Sequence, residues 1–141
     1  MRIVFDADTL GQRRPRGSVT GVVYFDFGAG RQFPCAGWND FVVVLSNWWR
    51  AAFDELLHGQ SSAELLFMEG PHGITAIDQG RARLLLRCRN GRDDAATFEA
   101  AVGLGDLARE LARLDEDVSR ACASAGIESD DLDDLRRRLP Y

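Results

Sequence analysis

The side chains in this sequence that could do chemistry are few, and their spacing limits what that chemistry would be. Asp6 and Asp8 form a D-x-D on one face of an alternating segment, a spacing that can hold a divalent cation through substrate phosphates. No second carboxylate cluster, no H-x-x-x-H pair and no Gly-rich loop carrying a lysine accompanies them, so no metal site is expected. His58 falls beside the end of a predicted helix and His72 in a P-H-G turn, and both positions suit structural hydrogen bonding better than catalysis. A Ser-His-Asp or Cys-His site could assemble only in space, because no G-x-S-x-G elbow or cysteine signature is present. Gly28-x-Gly30 and Gly103-x-Gly105 each lack a third glycine, and Asp106 after the second would repel a phosphate at the helix start. All 17 basic residues are arginine, which excludes Schiff-base and P-loop lysine chemistry. Neither a catalytic residue nor a cofactor is therefore expected.

Three groups of side chains suit recognition instead. Trp38, Trp48 and Trp49 supply a large contact area within twelve residues. Trp48 is expected in the core, with Trp38 in a loop or Trp49 on a helix flank as the exposed anchor. Asp115, Glu116, Asp117, Asp130, Asp131 and Asp134 are the candidates for electrostatic docking, although acids at 130–134 also suit a helix N-terminus and Arg136, Arg137 and Arg138 its other end. Arg13, Arg14 and Arg16 crowd a glycine-rich turn that lacks interleaved aromatics, which predicts a mobile, solvated tip rather than a nucleic-acid contact.

The elements that must position these groups are legible from periodicity. Residues 2–9 and 22–27 alternate as half-buried strands, Ile3, Phe5 and Ala7 facing one way, and GQRRPRGS at 11–18 joins them as a hairpin. Residues 28–38 read as a loop ending where Asn39 or Asp40 can cap a helix. FVVVL at 41–45 has strand composition, but length favours a continuous helix to Gly59, striped by Phe41, Leu45, Trp48, Ala52 and Leu56 and widened by Val42, Trp49 and Phe53. So wide an apolar surface requires a sheet on one side and further cover on its flank. Four short strands follow from Glu64, separated by turns rich in Gly, Pro, Asn and Asp, as an antiparallel meander whose third strand carries Arg83, Arg87 and Arg89 on a polar face. Leu107, Leu111, Leu114 and Val118 mark a helix that stops at Gly126, and Ser129 caps a last short one. The reading is α+β: about six antiparallel strands in one sheet, order β-β-α-β-β-β-β-α-α, packed by the long helix and followed by a helical pair.

With 141 residues, 45% of them hydrophobic, the expectation is one domain spanning residues 1–141 with a core that needs no metal or disulfide. Three unpaired cysteines, Cys35, Cys88 and Cys122, and an N-terminus without a long apolar run suggest a cytoplasmic protein that neither spans a membrane nor is exported by a signal peptide. A net charge of -5 disfavours nucleic acid and allows basic partners. Residues 104–141 hold ten acids and six arginines, and so carry most of that charge.

Phe33, Pro34, Trp38, Asp40, Phe41, Trp48 and Trp49 in FPCAGWNDFVVVLSNWW carry a pattern that resembles small bacterial WapI-like polymorphic-toxin immunity proteins, and ELLFMEGPHGITAI at 64–77 is similar in kind. The resemblance implies a cytosolic protein that binds and occludes a cognate toxin domain, often with an acidic surface against a basic cleft. A non-enzymatic binding protein, monomer or homodimer, is the expectation. The alternative is a small-ligand-binding protein or enzyme with a pocket between the long helix and the sheet, lined by Trp38, Trp48, Phe53 and His58. A third reading, an accessory subunit of a larger assembly, would require an extensive apolar patch.

Overall fold

A computed structural model describes residues 1–91 and 97–139. The chain is α+β and runs β1 (Arg2–Gln12), β2 (Val19–Asp26), β3 (Gln32–Phe33), β4 (Asn39–Asp40), α1 (Val42–Leu57), β5 (Ser62–Leu66), β6 (His72–Gly80), β7 (Arg83–Asn90), β8 (Phe98–Gly103), α2 (Leu104–Ala125) and α3 (Asp130–Arg138). The expected single sheet is instead two antiparallel sheets of four strands. In the first, β1 pairs with β2, and the short β3 and β4 also pair with β2. The second is the predicted meander, β5-β6-β7-β8. Residues 28–38 do not stay a free loop because β2 has a second edge of backbone donors and acceptors that must be paired. The loop folds back to meet it, with Val23 N donating to Trp38 O at 2.8 Å and Phe27 N to Arg31 O at 2.9 Å. The turn read at residues 90–96 falls mostly outside the described residues.

Residues 42–45 are helical, as length favours over composition: Val42, Val43 and Leu45 are all buried on α1. Its N-cap is Phe41 rather than Asn39 or Asp40. Asp40 still serves the helix start, since its Oδ1 accepts from Phe41 N at 2.7 Å. Gly59, with φ of 98°, turns the chain away where a side chain would strain. On α2, Leu107, Leu111, Leu114 and Val118 are buried as the spacing predicts, and Gly126 ends the helix in the left-handed region. Ser129 caps α3 by accepting from Leu132 N at 3.0 Å.

α1 touches β2 of the first sheet and β5 of the second, together with α2 and α3. The buried apolar residues of both sheets and all three helices form one cluster. Its aromatic centre is Trp49, whose ring lies 5.2 Å from both Phe25 and Phe67, and whose Nε1 donates to Leu66 O at 2.8 Å. α2 flanks the free edge of β1 and satisfies it with side chains, for Glu110 Oε1 accepts from Ile3 N and Arg113 Nη2 donates to Ile3 O, each at 2.8 Å. Beyond Asp6 the β1–β2 register shifts until Gly11. The alternation read from the sequence therefore fails there, and Ala7 is exposed.

Candidate partner-binding surface

Neighbouring residues on a helix point about 100° apart, so Trp48 and Trp49 cannot share an environment. Trp49 falls three or four positions from Leu45, Ala52 and Phe53 and is completely buried with them, whereas Trp48 is 44% exposed. This reverses the expectation for the pair. Trp48 instead continues the outward line of Phe41 and Val44, the flank that the over-wide apolar stripe left without a partner.

Two shallow depressions meet at Trp48. One, of about 430 Å³, lies between Val44, Asn47 and Trp48 on α1 and Asp131, Asp134 and Arg138 on α3. The other, of about 350 Å³, runs from Trp48 past Ala51 and Glu55 to Glu64 and Leu66 on β5. Leu66, also 44% exposed, shares the outward face of β5 with Glu64, because Ala63 and Leu65 turn inward. An exposed indole thus stands between four carboxylates. Glu64 is paired with Arg89 at 2.6 Å and Asp134 with Arg137 at 3.0 Å, while Glu55 and Asp131 form no ion pair among the described residues.

The remaining expected recognition residues are dispersed. Trp38 is half-buried and structural: its Nε1 donates to Asp40 Oδ2 at 3.0 Å and its ring meets His72 edge-on at 4.8 Å. Asp115 is buried rather than available for docking, 2.8 Å from Arg138 and 3.8 Å from Arg50. Burial pushes its carboxyl above the usual range, with Arg138 and Arg50 opposing the shift. Asp117 is held by Arg113 and Arg120 at 3.5 and 3.4 Å, and Glu116 is exposed beside it on α2. Asp130 meets Arg16 at 2.6 Å. Of the acids expected to bind a partner, the fold brings only Asp131 and Asp134 to the exposed tryptophan.

No family model, curated protein or solved structure matches the chain.

The candidate chemical groups are also placed. Asp6 and Asp8 are exposed, and Asp6 Oδ1 accepts from Asp8 N at 3.0 Å. Among the described residues no three or more His, Cys, Asp or Glu side chains are arranged so that they could hold a metal ion. His58 Nδ1 lies 2.7 Å from Asp54 O, and His72 Nδ1 lies 2.7 Å from Asn90 Oδ1. Burial drives the Cys88 thiol up to about 12 and raises that of Cys122, which leaves both unreactive. Trp38, Trp48, Phe53 and His58 do not converge on a pocket: Phe53 faces the core, Trp48 faces outward and His58 is exposed at the end of α1. No helix among the described residues is long and apolar enough to cross a membrane.

Trp48 was legible in the sequence as part of an apolar surface too wide for one helix face to bury, whereas the three consecutive apolar residues of ELLF gave no alternation that would place Leu66 outward. Which residue of that surface stays exposed depends on how the sheets and the other helices pack on it, since Leu45, Ala52 and Leu56 of the same stripe as Trp48 are buried.

Proposed function

We infer that this chain is a non-enzymatic binding protein of the immunity type, which occludes a basic protein partner, a toxin domain, with the surface around Trp48. The observation that carries this reading is the exposed Trp48 between Leu66 and the carboxylates of Glu55, Glu64, Asp131 and Asp134. A large aromatic ringed by polar groups is the composition of an interface anchor, because its burial excludes water from the contacts around it. The acids add steering toward a cationic surface, an effect on the rate of encounter more than on the lifetime of the complex. The resemblance of residues 33–49 to immunity proteins agrees with this reading.

The test is co-purification with the product of the adjacent reading frame, followed by binding kinetics. Trp48→Ala should weaken the complex by about tenfold or more, chiefly by faster dissociation. Asp131→Lys with Asp134→Lys should slow association. A partner that binds both variants as it binds the native chain would exclude this surface, and failure of the two products to associate would count against the immunity reading itself.

A further inference from the structure

The arginine hairpin tip between β1 and β2 is exposed to solvent, as its composition predicts, but it is tied to the rest of the fold. Gln12 Nε2 donates to Gly17 O and to Glu128 O, both at 2.8 Å, which ties the base of the tip to the start of the α3 segment. Arg16, held in the left-handed region at φ of 60°, reaches Asp130 at 2.6 Å and Asp133 at 3.2 Å. Gly17 N closes the turn on Arg14 O at 2.9 Å. The tip is therefore anchored at both sides, yet Arg13 and Arg14 form no ion pair among the described residues.

Arg13 and Arg14 line a cleft of about 890 Å³ between the tip and the β4–α1 corner. Ser18, Thr20 and Asn39 line it too, and their side chains make no hydrogen bond among the described residues. Phe41, half-buried, supplies an apolar wall, and Glu69 is the one acid on the lining. Two cations, two hydroxyls and an amide form a donor-rich set suited to an oxyanion, since guanidinium groups match phosphate geometry with paired N–H bonds. The volume suits a ligand of mononucleotide size, with its apolar portion against Phe41.

We propose that this cleft binds a small phosphorylated molecule, its phosphate held by Arg13 and Arg14 and its uncharged part resting against Phe41. The site is independent of the Trp48 surface and lies on different residues. Glu69 opposes the phosphate and keeps affinity moderate, while Asp130 and Asp133 hold the tip in place through Arg16.

Calorimetric titration with inorganic phosphate, adenosine monophosphate and adenosine tests this directly. The monophosphate should bind more tightly than phosphate alone, and adenosine should not bind. Arg13→Ala with Arg14→Ala should weaken binding by about tenfold or more, while Glu69→Gln should tighten it by about threefold through loss of like-charge repulsion. Asp130→Ala with Asp133→Ala should weaken it without touching the ligand, by freeing Arg16. Absence of saturation by either phosphate compound up to about 10 mM, binding unchanged in the double arginine variant, or adenosine binding as well as its monophosphate would overturn the proposal. Marked preference for a single-stranded oligonucleotide over the monophosphate would overturn the small-molecule assignment as well.

Discussion

Adjacent tryptophans with opposite fates give a sharp contrast in side-chain energetics. Trp49 loses its packing against Phe25 and Phe67 and its hydrogen bond to Leu66 O when truncated, so Trp49→Ala should cost about 3–5 kcal/mol in urea unfolding. Trp48→Ala removes a side chain that is 44% exposed and should change stability by no more than about 1 kcal/mol. Equal losses would refute the assignment of the two faces. Asp40 makes a second residue-level case. It is fully buried, and its carboxylate accepts from Trp38 Nε1, Phe41 N and Glu69 N, joining β4, the start of α1 and the β5–β6 turn. Asp40→Ala would leave three donors without an acceptor, at a cost of about 3 kcal/mol or more. Asp40→Asn, which keeps one acceptor oxygen, should lose less. The segment from Phe33 to Trp49 thus includes a structural knot, Trp38 and Asp40, and a surface feature, Trp48.

Two element contacts rest on carboxylates whose proton affinities move in opposite directions. Asp115 on α2 anchors Arg138 of α3, whose guanidinium also donates to Asn47 Oδ1 on α1 at 2.6 Å. Because burial raises the folded-state pKa of Asp115, the folded chain holds this proton more tightly than the unfolded chain. Its contribution therefore falls as pH rises from the ordinary carboxylate range through the raised value. Glu110 clamps the edge of β1; burial pushes its pKa up, but the hydrogen bonds from Arg113 and Ile3 N, with the nearby arginine charges, outweigh that and leave it lowered. Its stabilisation is present above the ordinary glutamate range and is lost as pH falls through the lowered value. Unfolding measured between about pH 3 and about pH 7 should separate the two. Glu110→Gln should lose most stability at the neutral end and converge with the native chain in acid. Asp115→Asn should remove the component that weakens with rising pH. A Glu110→Gln deficit that persists undiminished in acid would show that the clamp acts through shape rather than charge.

At the scale of the whole molecule, the net charge of -5 is a poor guide to where a partner docks. Residues 104–141 hold most of it, but Asp115 is buried and Asp117, Asp130 and Asp133 face arginines of the same chain. What remains unneutralised near an apolar anchor is Glu55 and Asp131, on different elements either side of Trp48. The association rate with a basic partner should accordingly fall as salt rises, and Glu55→Gln with Asp131→Asn should flatten that dependence. Glu116→Gln, remote from Trp48 in the chain and outside both depressions, should leave it unchanged.

Taken alone, the sequence determined whatever depends on neighbours a few residues away. The helical spacing of Leu107 to Val118, the Ser129 cap, the Gly126 stop, the antiparallel meander and the α+β class all follow from local periodicity and backbone preference. For residues 42–45 length favoured helix and β-branched composition favoured strand, and the fold decided for helix. Tertiary structure alone decided that Trp48 is left exposed within the wide apolar surface of α1, that the strands divide into two sheets, and which charges are cancelled. Arg16 and Asp130 stand 114 residues apart, and Arg138 and Asn47 stand 91 apart. No local pattern encodes such pairs, because their energy comes from docking separate elements rather than from the conformation of either one.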